Sequence, residues 1–319
     1  LPEVREAACT FVEKKYNVHY DWQTEVLVTV GGTEAITATL LSILEPGDKV
    51  LLPTPIYSGY EPVITLAKAE LIQMDTSQTD FVLTPDLLEA TLEEHGDQVK
   101  AVILNYPSNP IGVTYTREEV KSLADVLKKY PVFVMCDEIY SELVYDETHT
   151  SIAEFIPNQT ILINGLSKSH AMTGWRIGFL FGPKELIKEI VKVHQYLVTA
   201  ASTISQKAAY AALTTSMNAG EEMKKEYQVR RDFVFKEVSR LGFEVAKPRG
   251  AFYIFAKIPT AYIQDSMEFC IDLAEKEQLA VIPGIAFGQA GEGYIRISYA
   301  ASFEKLEEAM RRLDRYMNR

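Results

Sequence analysis

The sequence has few of the residues that build disulfide frameworks or metal centres. Its 319 residues include three cysteines, Cys9, Cys136 and Cys270, which lie far apart and form no C-x-x-C pair. The five histidines are scattered, without H-x-x-x-H or H-E-x-x-H spacing. These patterns argue against a disulfide-stabilised fold and against a metal site, and they are typical of a protein of the reducing cytoplasm.

Basic charge, long apolar segments and nucleotide-binding loops are also lacking. The net charge is −12 and no basic patch stands out, which argues against a nucleic-acid partner. No apolar run is long enough to span a bilayer and no signal peptide is visible, so we expect no membrane partner. The absence of a G-x-G-x-x-G or Walker loop disfavours a plain nucleotide-binding α/β protein.

What the sequence does contain is a regular alternation of strands and helices over its first two-thirds. This alternation predicts an α/β domain with a mostly parallel sheet, and the unbroken apolar runs are typical of strands covered on both faces. Seven strands are predicted, at 26–30, 49–53, 69–74, 101–105, 132–137, 160–164 and 177–182. Helices are predicted at 33–44, 85–94 and 117–129.

The character of the chain changes after about residue 215, where a long charged helix (221–241) leads to shorter strands and two further helices (266–277 and 303–316). This pattern predicts a smaller α+β domain. With 47% hydrophobic residues, the chain can fill more than one core. We therefore expect a large domain over 1–215, with seven strands between helices, and a small C-terminal domain over 216–319.

Polar residues and glycines follow five of the predicted strands, at the points where those strands end. Because ligands of such sheets bind at the carboxyl ends of the strands, we expect these residues to meet at one edge. They include Gly31, Gly32, Thr33 and Glu34 after the first strand, Tyr57 after the second, Asn109 after the fourth, Asp137 and Tyr140 after the fifth, and Ser167 and Lys168 after the sixth.

Each of these residues also has an ordinary structural interpretation. The two glycines could bring backbone N–H groups to an anion, or form a plain turn in which Thr33 caps the helix. Asp137 could face a cationic ring nitrogen, or cap the next helix. Tyr57 could stack on a flat cofactor or pack in the core. Asn109 could be a turn residue, and Tyr140 a half-buried helix residue.

Lys168 discriminates best between these interpretations. A loop lysine is usually a solvated surface residue, but at the edge of a parallel sheet it can become a neutral amine that forms a Schiff base. Arg176 follows eight positions later, and its guanidinium could bind a phosphate by two parallel hydrogen bonds. The alternative for Arg176 is a surface salt bridge.

The order of these motifs is more specific than any one of them. The chain carries G-G-T-E-A, P-x-Y, N-Y-P-S-N-P-x-G, D-E-I-Y and S-K-x-x-x-x-x-G-W-R-I-G, followed by PRGAFYIF, PGIAFG and GEGYIRISYA. This order resembles the class I/II aminotransferases, fold-type-I enzymes that use pyridoxal 5′-phosphate. The resemblance covers essentially the whole chain. It is closest to the aromatic amino acid and N-acetyl-diaminopimelate aminotransferases, through GLSKSHAMTGWRIGFLFGP and HQYLVTAAS.

The resemblance implies a role for each residue. Lys168 would form the Schiff base with pyridoxal 5′-phosphate and then act as the general base, and Asp137 would keep the ring nitrogen protonated. Arg296, in the Y-I-R-I-S run, would bind the substrate carboxylate, although it could also be a strand-edge cation. The remaining roles are ring stacking by Tyr57, hydrogen bonds to the ring 3-oxygen from Tyr140 and Asn109, and phosphate binding by Gly32, Thr33, Ser167 and Arg176.

The implied reaction is a ping-pong transfer of an amino group to a 2-oxo acid such as 2-oxoglutarate, with an aromatic amino acid as the expected donor. The alternatives are N-acetyl-LL-diaminopimelate as the donor, a carbon–sulfur β-lyase, and a non-enzymatic regulator that binds the cofactor. The resemblance also implies a homodimer with the active site at its interface, and an N-terminal arm before Leu1. Many relatives have serine where this chain has Gly31 and Gly165. This chain therefore lacks two hydroxyl groups that would contact the phosphate.

Overall fold

The computed structural model describes residues 1–319 and contains two β-sheets. The strands are β1 (Val26–Thr29), β2 (Lys49–Thr54), β3 (Glu70–Asp75), β4 (Val99–Asn105), β5 (Phe133–Asp137), β6 (Thr160–Gly165), β7 (Gly178–Phe181), β8 (Glu244–Val245), β9 (Tyr253–Lys257), β10 (Ile282–Pro283) and β11 (Tyr294–Ser298). The larger sheet has the order β1-β7-β6-β5-β4-β2-β3, and the smaller has the order β10-β11-β9-β8.

Eleven α-helices accompany the sheets, and none of them is long and apolar enough to cross a membrane. They are α1 (Pro2–Tyr16), α2 (Gly31–Ile43), α3 (Glu61–Leu66), α4 (Pro85–His95), α5 (Arg117–Leu127), α6 (Leu166–Ser169), α7 (Lys184–Val198), α8 (Thr203–Thr215), α9 (Ala219–Arg240), α10 (Ser266–Glu277) and α11 (Phe303–Met317).

The expected seven-stranded, mostly parallel sheet is confirmed. Strands β2, β3, β4, β5 and β6 pair in parallel, and β7 runs antiparallel to both of its neighbours, β1 and β6. The predicted strands of this sheet match the observed bounds within two residues. Helices α7 (Lys184–Val198) and α8 (Thr203–Thr215) were not predicted from the sequence.

Both faces of the large sheet are buried, which explains why its strands show no polar alternation. Along β5, Met135 packs with α2 and α7 on one face, whereas Val134 and Cys136 pack with α4 and α5 on the other. A separate core lies between the small sheet and helices α9, α10 and α11. The expected division of the chain after residue 215 falls between α8 and α9, and it stays a prediction.

Local capping residues mark the N-termini of several of these helices. Thr116 and Glu119 form a capping box at the start of α5, in which each side chain accepts a hydrogen bond from the other residue's backbone. Thr84 caps α4 just before Pro85, whose fixed φ suits the first helical position. No side chain caps α2, so the N–H groups of its first turn lack such a partner.

The register of the sheet aligns the strand ends that matter for a ligand. Asn105 at the end of β4 pairs with Asp137 at the end of β5, and Asp137 pairs with Ile163 of β6. Because strand side chains alternate, Asn105 and Asp137 follow the face of Ile103 and Met135, towards α2. The geometry of parallel strands therefore brings these polar groups to one edge, as expected.

We predict that Gly178→Ala destabilises the fold, because β7 passes very close to the start of α2. A Cβ at position 178 would lie 2.8 Å from the Gly31 carbonyl carbon, 2.9 Å from Thr29 Oγ1 and 3.0 Å from the Gly32 nitrogen. Two of these atoms belong to backbone that packing holds in place, so we expect a loss of about 1–3 kcal/mol in the free energy of unfolding, measured with urea.

Gly174→Ala is the matched control, because a Cβ there would meet nothing within 4 Å. This variant should unfold within about 0.5 kcal/mol of the wild type, since it lies on the surface and needs no special φ. Equal stability of the two variants would contradict the close-approach argument.

Candidate active site

The carboxyl ends of the large sheet open into a pocket of about 270 Å³. Nine of the ten residues predicted from the sequence line it, and the tenth, Arg296, donates a hydrogen bond to one of the nine. The lining residues are Gly32, Thr33, Ile36, Tyr57, Asn105, Asn109, Asp137, Ile139, Tyr140, Ser167, Lys168, Thr173, Arg176 and Tyr253.

Asp137 is a buried carboxylate at the floor of the pocket. Its Oδ2 accepts a hydrogen bond from the Tyr60 hydroxyl at 2.8 Å, and its Oδ1 accepts one from the Ile139 N–H at 3.2 Å. Burial raises the pKa of Asp137 to about 6, although these two hydrogen bonds and the Lys168 cation oppose the rise. A turn follows β5, so the alternative role of Asp137 as a helix cap is wrong.

Lys168 lies in α6, a single helical turn that follows β6 directly. Its Nζ lies 5.7 Å from the ring centres of Tyr140 and Phe252 and has no carboxylate within salt-bridge distance. Burial lowers the pKa of Lys168, and the neighbouring Arg176 cation lowers it further. Both effects favour the neutral amine, which is the nucleophilic and basic form.

The start of α2 and Arg176 form a corner of the pocket suited to an anion. The helix begins at Gly31, two residues earlier than predicted, so Thr33 lies inside the first turn and the prediction that it caps the helix is wrong. Gly31 has φ +74°, and a Cβ there would lie 2.7 Å from Arg176 Nη2. Glycine therefore lets the guanidinium approach the helix end, where the helix dipole favours negative charge.

Arg176 has no carboxylate partner, so the alternative of a surface salt bridge is not observed. Its Nη1 donates to the Thr173 carbonyl at 3.0 Å, and its backbone is left-handed, with φ 50°. The exposed guanidinium keeps donors free towards the pocket.

Arg296 lies in β11, an inner strand of the small sheet, and not at the sheet edge. Its guanidinium is sandwiched between the rings of Tyr253, at 4.5 Å, and Phe287, at 4.9 Å. Nη1 donates to Asn109 Oδ1 at 2.8 Å, whereas the buried Nε has no hydrogen-bond partner. Burial lowers the pKa of Arg296.

Tyr140 and Tyr57 present phenols to the pocket from two different strand ends. Tyr140 is buried in a turn, contrary to its alternative interpretation as a half-buried helix residue, and its hydroxyl lies 2.7 Å from that of Tyr253. Tyr57 is half-buried and packs edge-on against Tyr60, with ring centres 5.5 Å apart. The Asn109 N–H donates to Asn105 Oδ1 at 3.0 Å, which fixes the turn after β4.

Three residues of the site were not identified from the sequence. Tyr60 bonds Asp137, Asn105 bonds the turn that holds Asn109, and Tyr253 contacts both Tyr140 and Arg296. Asn105 and Tyr253 belong to motifs quoted above, and Tyr60 lies three residues after Tyr57, but tyrosine and asparagine are common in cores and turns. No feature of the sequence alone separates them from neighbours of the same type.

Three basic side chains and one carboxylate lie in or next to the pocket, in a chain whose net charge is −12. Lys168, Arg176 and Arg296 have no carboxylate within salt-bridge distance, and Asp137 is buried with only neutral hydrogen-bond donors. Such an arrangement suits a ligand with two anionic groups and one protonated nitrogen.

We predict that Asp137→Asn changes how the stability of the cofactor-free protein depends on pH. The pKa of Asp137 is about 6 in the folded protein against its usual 3.8, so the folded state holds the proton more tightly than the unfolded chain. Wild-type stability should therefore fall as the pH rises from about 4 to about 6. The expected loss relative to the variant is about 3 kcal/mol, from urea unfolding at stepped pH.

Asp97→Asn, at an exposed turn, is the control and should follow the wild-type pH dependence. If the wild type and Asp137→Asn lost stability in parallel across this range, Asp137 would not carry the buried proton.

Comparison with known proteins identifies the family. The family model "Aminotransferase class I and II" matches residues 1–313. The chain is 47% identical to a probable N-acetyl-LL-diaminopimelate aminotransferase of Bacillus subtilis, over 99% of this chain and 79% of the relative. It is 40% identical to an aspartate aminotransferase of Pyrococcus abyssi, over 99% of this chain and 82% of the relative.

The structural likeness agrees with the sequence. An aromatic aminotransferase from Pyrococcus horikoshii superimposes with a TM-score of 0.95 at 39% identity, covering 100% of this chain and 86% of the other. The fold, the pocket and the relatives all lead to the same conclusion. The chain belongs to the class I and II aminotransferase family, and it is a transaminase.

Proposed function

We propose that the pocket binds pyridoxal 5′-phosphate and uses it to move an amino group from an amino acid to a 2-oxo acid. The observation that carries this proposal is a buried carboxylate with only neutral hydrogen-bond donors, Asp137, close to three basic side chains that lack carboxylate partners. The cofactor has a phosphate and a protonated ring nitrogen, and the substrate adds a carboxylate. The charges of the ligands and of the pocket therefore complement one another.

The residues present fit each part of this cofactor. The open first turn of α2, with Arg176, offers donors for the phosphate, and Ser167 can add a hydroxyl. Asp137 can accept the hydrogen bond of a protonated ring nitrogen, which would offset the cost of burying its charge. Tyr57 would cover one ring face, and Tyr140 and Asn109 would donate to the ring 3-oxygen.

When bound, the cofactor supplies an electron sink that stabilises negative charge at the substrate Cα. Lys168 Nζ, whose lowered pKa favours the neutral form, is the group that accepts the proton of the substrate Cα and later gives it back to the reacting molecule. Arg296 binds the substrate carboxylate through its guanidinium fork, which fixes the Cα near Lys168. The hydrogen bond between Arg296 and Asn109 holds this fork in place.

Two classes of amino donor are supported by the relatives. Aromatic amino acids, expected from the sequence, are supported by the likeness to the P. horikoshii enzyme at 39% identity. N-acetyl-LL-diaminopimelate is supported by the B. subtilis relative at 47% identity, and we favour it for this reason. The three basic side chains serve the phosphate, the α-carboxylate and proton transfer, so they favour neither class of donor side chain.

The test is a visible spectrum of the protein reconstituted with pyridoxal 5′-phosphate, recorded before and after addition of a single amino donor without any 2-oxo acid. We expect N-acetyl-LL-diaminopimelate to convert the lysine-bound absorbance band to that of the aminated cofactor. L-tyrosine tests the second class in the same way. Pyruvate and ammonia released from cystathionine would instead identify a carbon–sulfur β-lyase.

Lys168→Ala is the matched variant for this experiment. We expect it to retain the cofactor non-covalently but to lose turnover by roughly 10⁴-fold or more, because both the covalent attachment and the base are removed. Lys121→Ala, on the exposed side of α5, should behave like the wild type. Near-normal turnover in Lys168→Ala, or a wild type with no visible band, would overturn the proposal.

We further propose that the active protein is a homodimer. Large apolar side chains are exposed on α7, on α8 and beside the pocket, among them Tyr196 (88% exposed), Ile204 (73%) and Trp175 (44%). A second copy of the chain would cover such surfaces. Light scattering should give twice the mass of the chain, and Tyr196→Glu together with Ile204→Asp should shift the protein towards the monomer. A monomeric wild type would contradict this proposal.

A further inference from the structure

Tyr253 stands out among the pocket residues because its side chain contacts two functional groups at once. It lies at the start of β9 in the small sheet and is buried. Its hydroxyl is 2.7 Å from that of Tyr140, in the turn after β5, and the centre of its ring lies 4.5 Å from the guanidinium carbon of Arg296. No other pocket residue joins the cofactor side of the pocket to the guanidinium of Arg296 by stacking.

The hydroxyl end of Tyr253 completes a chain of donors. If Tyr140 uses its proton towards the ring oxygen of the cofactor, its own oxygen is free to accept the proton of Tyr253. Either hydroxyl can donate across this 2.7 Å contact, and consecutive hydrogen bonds polarise and strengthen one another. Tyr140 would then be a better donor with Tyr253 than without it.

The ring end of Tyr253 supports the cation. Arg296 has one side-chain hydrogen bond, to Asn109, and a buried Nε without a partner, so hydrogen bonds alone hold it weakly. The rings of Tyr253 and Phe287 sandwich the guanidinium and fix its plane. The orientation of the fork towards a substrate carboxylate therefore depends on the Tyr253 ring.

We propose that Tyr253 is a positioning residue of the transamination site, whose hydroxyl tunes Tyr140 as a donor and whose ring orients Arg296. This inference rests on the proposed binding of pyridoxal 5′-phosphate. The hydroxyl and the ring of Tyr253 then have two effects that can be measured separately. One effect is spectroscopic and needs no substrate, and the other concerns the affinity for the amino donor.

The groups around the two hydroxyls determine the direction of the spectroscopic effect. Burial raises the pKa of both phenols, and for Tyr253 the hydrogen bond and the Arg296 cation oppose the rise. Loss of the Tyr253 hydroxyl weakens the donation by Tyr140, so the ring oxygen should bind a proton more readily. The titratable and charged groups that face the pair are Asp137 from β5, Lys168 from α6, Arg296 from β11, Tyr57 from the turn after β2, and Tyr227 from α9.

The first measurement is the pH titration of the visible band of the cofactor-loaded protein, without substrate, for the wild type and Tyr253→Phe. We expect the midpoint of the variant to move to higher pH by about 0.5 unit, the size of a modest loss of hydrogen-bond strength. Tyr299→Phe is the matched control, because Tyr299 is also a buried tyrosine that hydrogen-bonds a second tyrosine, Tyr145, but lies outside the pocket. Its midpoint should equal that of the wild type.

A double-mutant cycle shows whether the effect passes through Tyr140. In the Tyr140→Phe background, the added Tyr253→Phe change should leave the midpoint where Tyr140→Phe alone puts it. Additive shifts, or a Tyr253→Phe midpoint equal to that of the wild type, would overturn the inference.

The ring effect is measured with the amino donor that the wild type accepts. Tyr253→Leu removes the stacking surface and should raise the KM about tenfold with a smaller change in kcat, whereas Tyr253→Phe should keep the wild-type KM. Equal KM values in Tyr253→Leu and the wild type would overturn this half. A wild type without any visible band would refute the proposed function itself. A wild type with a normal band but unchanged Tyr253 variants would refute only the role of Tyr253.

Discussion

The structure depends on one constraint, the burial of the Asp137 carboxylate at the end of the central strand of a sheet covered on both faces. Burial raises the pKa of this group to about 6, and only Tyr60, the Ile139 N–H and the nearby Lys168 cation oppose the rise. A carboxylate held this way gains most from a protonated partner placed in the pocket. The remaining groups of the site lie around the position that such a partner would take.

The cations around Asp137 are kept apart from carboxylates by the fold itself. Arg176 is brought to the end of α2 because β7 runs antiparallel beside β1, and because Gly31 leaves room for the guanidinium. Lys168 follows β6 within a single helical turn, so its amine points into the same pocket. Separation of these charges costs stability in the empty protein and lowers the cost of binding anionic ligands.

Two side-chain hydrogen bonds join the two sheets at the pocket. Arg296 bonds Asn109, and Tyr253 bonds Tyr140, so each link joins the small sheet to a strand end of the large one. Both links contain a residue that would touch the cofactor or the substrate. A ligand bound there would therefore contact both sheets through these side chains.

The sequence by itself determined the alternation of strands and helices and the mostly parallel sheet, and, through the order of its motifs and the family resemblance, nine of the residues that line the pocket. It could do so because apolar runs and strand-end motifs are local patterns, and because parallel strands place their carboxyl ends together. The tertiary structure alone decided that α2 starts at Gly31, that Tyr60 bonds Asp137, and that Tyr253 joins Tyr140 to Arg296. These contacts join residues far apart in the chain, and their geometry follows from packing, which no local pattern of residue types encodes.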